Sequence, residues 1–276
     1  MVAAGRGGAG RSAGAVGRMI LRETVLVCAG VFVYFGVRGL TEGGVGTAHR
    51  NAARLVRLEA GLGLSWERPL QEVAAASDLA VTLANWVYIW GHWPLIVATL
   101  CWLALRHPRS YLRTRNAMLL SGAVGLVIFG AFPVSPPRLF DAGLVDTVTE
   151  FSRSYRVLQP PAFVNQYAAM PSLHVGWDAL IGIAIAGQAR RRWVRVLGAL
   201  LPVAMTAAVI LTANHYVLDV VAGLALTFAC YALVVRRQAR VRRPGRVSLP
   251  PPRTSPERPP AGVDRRGPAS RPGRAA

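Results

Sequence analysis

Residues 212–237, TANHYVLDVVAGLALTFACYALVVRR, decide how this chain is read. The apolar run is long enough to cross a bilayer core, which takes roughly 20 residues as a helix. It ends on paired arginines and begins beside His215 and Asp219. One segment therefore carries an orientation at one end and ionisable chemistry at the other.

Working outward, comparable runs occur at roughly 19–39, 79–105, 117–134, 173–189, 196–213 and 217–235. A chain that is 53% hydrophobic and only 16% charged is too apolar for most soluble proteins of its length. The expected fold is all-α: a polytopic integral membrane protein, a six-helix transmembrane bundle with amphipathic helices on its outer face. The first run follows a Gly- and Arg-containing leader but lacks a small-residue cleavage site, so it reads as a retained anchor. Residues 1–18 form a basic leader, 19–238 the membrane domain and 239–276 a Pro/Arg-rich tail. Leader and tail have too few apolar residues to offset their ordering entropy and are expected to be disordered.

All 32 basic residues are arginine, and the net charge is +19. Their distribution matters more than the sum. Arg6, Arg11, Arg18 and Arg22 precede the first run, Arg106, Arg109, Arg113 and Arg115 follow the second, and Arg190, Arg191, Arg192 and Arg195 follow the fourth. The intervening connections mix Arg with acids, as in residues 40–78 with Glu42, Glu59, Glu67, Glu72 and Asp78. The positive-inside rule then places both termini in the cytoplasm of a cell-membrane protein. The basic tail lacks interleaved aromatic residues, so it reads as a lipid-attracted segment and no nucleic-acid partner is expected. Cys28, Cys101 and Cys230 all sit in apolar runs, with no disulfide or zinc spacing.

In this topology two connections face outward. Residues 48–64, AHRNAARLVRLEAGLGL, have helical apolar spacing and predict an amphipathic interfacial helix. Residues 135–172 run from SPPRLF through LQPPAFVNQYAAMPS into the fourth span. Arg138, His174, His215 and Asp219 then share the outer face. His215 and Asp219, four apart, fall on one surface of a helix, and an ionised Asp beside an imidazole fixes its tautomer. That makes His215 a candidate nucleophile, His174 a proton donor and Arg138 a fork for phosphate oxygens. Such a phosphoryl-transfer site needs no metal or other cofactor. A metal site built from His174, His215 and Asp219 is the competing use of the same residues, without a recognised ligand spacing behind it. Ser172 as nucleophile is weaker, because MPSLH is not a G-x-S-x-G elbow. Each residue alone also has a structural reading, as a helix cap or packing group. Ionisable groups within membrane segments nonetheless default to functional roles.

Other polar positions are less specific. His92 and Asn85 lie in the second span, where Gly91 and Pro94 predict a kink that His92 stabilises or a groove that it lines. Asp178, one turn after His174, orients that histidine or pairs with a neighbouring helix.

MPSLH (170–174) and NHYVLD (214–219) resemble the second and third signature motifs of the type 2 phosphatidic acid phosphatase superfamily. FPVSPPRL (132–139) is similar to the first motif in its inositol phosphorylceramide synthase-like, inositolphosphotransferase branch. The resemblance covers about residues 30–235. It implies six membrane helices, an outward-facing site, a lipid phosphate substrate and a phosphohistidine intermediate. His215 would be the nucleophile, Asp219 its partner, His174 the acid and then base, and Arg138 a phosphate ligand. Three departures stand out: the chain has no lysine, Val209 stands where the common branch has arginine, and Leu173 replaces the usual glycine. Ser172, Asn214, Asn165 and Tyr216 are the candidates to supply the missing phosphate contacts. The function expected is therefore lipid phosphotransferase or phosphatase. The other class left open is a lipid-binding or carrier membrane protein without turnover.

Overall fold

The computed structural model describes residues 44–141, 143–151 and 166–241, with isolated positions between 14 and 33. The described residues form α1 (Val45–Leu62), α2 (Glu67–Ala75), α3 (Asp78–Trp90), α4 (Trp93–Arg106), α5 (Pro108–Ala131), α6 (Pro137–Phe140), α7 (Thr147–Phe151), α8 (Leu173–Gln188), α9 (Arg192–Leu211) and α10 (Val217–Val241). The fold is all-α. An isolated parallel bridge, Val134 to Ala168, is the exception among the described residues.

Among the described residues three helices are long and apolar enough to cross a membrane: α5, with mean hydropathy 1.3, and α9 and α10, each at 2.1. The pair α3–α4, bent by 43°, makes a fourth if it is one span. The sides of these helices are consistent with a lipid surround. Trp86, Val97, Leu105, Val127, Leu200 and Val203 are each more than half exposed. The interior instead holds Asn85, His92, Ser121, Asp178, Asp219 and Thr227, all buried. A water-soluble protein shows the opposite arrangement and does not expose so broad an apolar surface.

α8 is the axis of the bundle, packed along α9 and also against α10, α5 and α4. Its 16 residues span only about 24 Å at 1.5 Å per residue, so it is shorter than its neighbours. Close approach comes from small residues: a Cβ on Gly182 would lie 2.3 Å from the Gly198 carbonyl oxygen of α9. Without a hydrophobic drive between lipid-embedded helices, contacts of this kind supply the packing.

Several boundaries differ from the sequence reading. The run expected as the second span is two helices broken at Gly91 and His92, where Gly and Pro signalled a kink. α5 begins at Pro108 rather than near 117, and α9 at Arg192 rather than near 196. Arg109, Arg192 and Arg195, read as connection, are thus first-turn residues, and Arg113 and Arg115 lie further inside α5, where Arg115 is buried and pairs with Glu23. The expected amphipathic helix is present as α1, with Ala48, Asn51, Ala52, Leu55 and Glu59 buried. Gly63 closes it in a left-handed conformation, φ 71°. α10 continues to Val241, three residues into the segment read as tail. The rest of the tail, most of the leader and most of the 19–39 run lie outside the described residues.

Candidate active site

Backbone hydrogen bonds gather the three motif segments at one end of the bundle. Val134 donates to the Tyr167 carbonyl at 2.8 Å and Ala169 donates back to Val134 at 3.3 Å, tying the approach to Arg138 to the approach to His174. The Arg138 amide donates to the Ala213 carbonyl (3.0 Å) and the Ser172 amide to the Asp219 carbonyl (2.9 Å). Gly223 makes the last contact possible, since a Cβ there would sit 2.1 Å from the Ser172 carbonyl oxygen. Residues separated by some eighty positions thereby meet.

His215 lies just before α10 in a turn that ends α9, with Ala213 at φ 52°. The amides of Asn214 and His215 both donate to the Val209 carbonyl, at 3.0 and 3.2 Å. The imidazole is buried, and its Nδ1 lies 2.7 Å from the Ala169 carbonyl oxygen. A carbonyl only accepts, so Nδ1 carries the proton and Nε2 of the neutral ring carries the lone pair. Asp219 stands beside the same nitrogen: its Oδ2 is 3.5 Å from His215 Nδ1, within ion-pair reach but longer than a strong hydrogen bond, and it also accepts the Tyr216 amide at 2.9 Å. Ala169 sets the tautomer, and Asp219 adds negative charge behind the ring.

Arg138 is held as a fork from behind. Its Nε donates to Asp146 Oδ2 at 3.0 Å and its Nη1 to Asn214 Oδ1 at 2.7 Å, leaving Nη2 uncommitted among the described residues. Asn214 is committed at both ends, since its Nδ2 donates to Thr212 Oγ1 at 2.8 Å. Read from sequence as a phosphate contact, Asn214 is here a brace for the guanidinium.

His174 stands in the first turn of α8, with its ring centroid 5.7 Å from that of His215. Tyr88 stacks against it at 4.8 Å and His92 lies at 4.4 Å. The α8 N-terminus has no side-chain cap, and helix N-termini without one attract anions. Ser172 is completely buried, and its Oγ has no hydrogen-bond partner among the described residues. Leu173 packs into the notch at Gly125 of α5, where a Cβ would come within 3.0 Å of Leu173 Cδ1. The departure from glycine is accommodated by a glycine on the facing helix. Val209, apolar where the common branch carries a charge, is fully buried in a core cluster with Tyr88 and Val175. Asn165 lies outside the described residues. The Tyr216 hydroxyl is buried, with no hydrogen-bond partner among the described residues.

The α10 N-terminus is closed to anions by carboxyls from three elements. Tyr216, Val217 and Leu218 amides donate to Asp219, Glu67 (3.0 Å) and Glu59 (2.7 Å), respectively. Burial, opposed by the Leu218 amide and reinforced by the charges of Glu67 and Asp219, pushes the Glu59 carboxyl up to about 8 from 4.5. The folded state therefore holds a proton in this window that the unfolded chain releases. Stability from this group is complete below the unfolded value and is lost as pH rises through about 8. Glu59→Gln keeps the acceptor for Leu218 and cannot ionise. Its thermal stability in detergent is expected to fall less than that of the wild type between about pH 5 and pH 8. Equal slopes would remove Glu59 as the cause.

Sequence reasoning did not find Asp146, Tyr88, Glu59, Glu67 or the Ala169 carbonyl. Asp146 had a local signal, because its Oδ1 accepts the Thr149 amide at 3.0 Å as a helix cap does. The others act through partners far away in sequence. Among the described residues no group of three or more His, Cys, Asp or Glu is arranged to hold a metal ion.

No curated protein and no solved structure gives a match to the chain. The family model described as the PAP2 superfamily matches residues 53–233, which take in Arg138, His174, His215 and Asp219. With that match over more than half its length, the chain belongs to the PAP2 superfamily.

Proposed function

We propose that the chain transfers or hydrolyses a phosphoryl group on a membrane lipid at the outer leaflet, through a phosphohistidine formed on His215. Enzymes of the superfamily are phosphatases and phosphotransferases, and membership points to a lipid phosphate substrate. The observation that carries the reading is the 2.7 Å contact of His215 Nδ1 with the Ala169 carbonyl, which leaves Nε2 as a nucleophile close to His174.

The steps follow from these positions. A phosphate seated at the α8 N-terminus meets the free Nη2 of Arg138 and the Ser172 hydroxyl. His215 Nε2 attacks phosphorus as the bond to the lipid oxygen breaks, and His174 gives its proton to that oxygen. Water or an alcohol then attacks phosphorus while His174 takes its proton, and the P–N bond breaks to restore His215. Asp219 offsets the positive charge that develops on the attacking ring. The chemistry consumes no cofactor.

The frame proposed around this site has six spans. It adds residues 19–39 and the short α8 to the helices above, with both termini cytoplasmic and the site outside. The arginine clusters support it. The first-motif stretch FPVSPPRL, the missing lysine and Leu173 favour the inositol phosphorylceramide synthase-like branch, in which an alcohol rather than water is the acceptor. In a cysteine-free background, a membrane-impermeant thiol reagent applied to intact cells should label Cys placed at Gly61 but not at Gly187, both sites open around the added side chain. The reverse pattern would invert the topology. Substrate is to be identified with purified protein and a panel of labelled lipid phosphates and phospholipids, with and without inositol as acceptor. Head-group transfer to inositol supports the branch, release of phosphate alone supports a phosphatase, and binding without turnover leaves a lipid carrier.

A further inference from the structure

We propose that His92, anchored by Asp178, is a positioning residue for proton transfer by His174; this rests on the phosphohistidine reading above. His92 occupies the break between α3 and α4, where its Nδ1 lies 2.9 Å from Asp178 Oδ1 on α8. An ionised carboxylate only accepts, so Nδ1 carries the proton and Nε2 is left with its lone pair. The two side chains are 3% and 0% exposed. Asp178 follows His174 by one helical turn and does not bond it. It fixes instead the imidazole that lies against it, at 4.4 Å between centroids and 40° between planes. Trp177 stacks on His92 at 6.1 Å and 8°, and Trp93 meets it edge-on at 5.2 Å. Trp177 is itself tied to Ser121 Oγ by a 3.1 Å hydrogen bond. The ring has little freedom to turn.

A helix break alone does not require this pair. An amide or hydroxyl would satisfy the local backbone without burying an acid, and burying a carboxylate is costly unless its oxygens are bonded. Asp178 Oδ2 has no partner among the described residues. What the pair does supply is an orientation. A carboxylate behind one imidazole fixes that ring's tautomer and plane, and the fixed ring holds His174 in the orientation from which it hands a proton to the leaving lipid oxygen. The other charged groups around His174 are His215 with Asp219 on one side and Arg138 on the α6 segment. His92 is thus the link between His174 and the buried acid of α8.

The test separates proton transfer from packing by changing the leaving group. His92→Asn keeps a donor for Asp178 but removes the ring, His92→Phe keeps a ring but strands the acid, and Asp178→Asn removes the charge while keeping the shape. With an alkyl lipid phosphate, whose oxygen needs protonation, each is expected to lower kcat about 10- to 100-fold with KM within about 2-fold. With an aryl phosphate whose leaving oxygen is already a weak base, the loss in the phosphorylation step, read as the pre-steady-state burst of released aryl alcohol, should shrink to within about 3-fold. Equal losses on both substrates, or none on either, would overturn the inference. His215→Ala run in parallel separates the two claims. If the wild type turns over neither substrate, or His215→Ala remains active, the phosphohistidine reading fails and this inference falls with it. If His215→Ala is dead and the His92 and Asp178 variants match the wild type, only the positioning role is lost. Any one of the three variants that folds, by monodisperse elution and wild-type helicity, suffices for the comparison.

Discussion

His215→Ala is expected to lower turnover of the lipid phosphate by at least about 10⁴-fold, or more than about 5 kcal/mol of transition-state stabilisation. Loss of a nucleophile removes the covalent route as a whole rather than weakening one contact, and residues that act as a unit share that cost. The ring is buried and bonds the Ala169 carbonyl, so alanine also frees one acceptor. That structural cost is small beside the catalytic one, about 1 to 3 kcal/mol for an unsatisfied buried group. Thermal unfolding and lipid binding measured alongside turnover should show a stability change of that order with binding retained. His215→Asn, which restores a donor near Nδ1, should recover stability and no activity.

Arg138→Ala is the second large effect, expected at about 10³-fold in kcat/KM, the range found when one donor to a developing charge is removed. Arg138→Lys should recover at most about a tenth of the loss, because an ammonium lacks the planar fork that Asp146 and Asn214 orient. Asn214→Ala and Asp146→Ala should each cost less than Arg138→Ala. Combining Asn214→Ala with Arg138→Ala should add little further, since the brace acts through the guanidinium it holds. Additive losses in the double variant would mean that Asn214 touches phosphate itself, as its place in the motif implied.

The candidate site residues stood out because ionisable residues are conspicuous in apolar runs. Arg138, His174, His215 and Asp219 each stand at the end of such a run, and the structure brings their motif segments together at one end of the bundle. Their second partners were not legible. The Arg138 fork depends on Asn214, 76 positions on, and the α10 N-terminus on Glu59 and Glu67, 159 and 150 positions from the amides they accept. No local pattern encodes such contacts. The four-residue spacing did place Asp219 beside His215, at 3.5 Å, but the Ala169 carbonyl that takes the shorter contact with Nδ1 had no signal in the sequence. The kink at Gly91 was readable from Gly and Pro chemistry. The starts of α5 and α9 were not, because arginine in a first turn looks like connection when hydropathy alone is read.

The most direct test of the central claim is to trap the covalent intermediate. His174→Ala, given an aryl phosphate whose leaving oxygen needs no proton, should form the phosphoenzyme but lack the base that activates the acceptor, so the adduct should accumulate. Quenching in alkali, which preserves phosphohistidine, followed by peptide mass spectrometry should find one phosphoryl group on the peptide containing NHYVLD, localised to His215 and absent in the His174→Ala/His215→Ala double variant. Phosphate on Ser172 or His174, or continued turnover of lipid phosphate with no adduct on His215, would contradict the account.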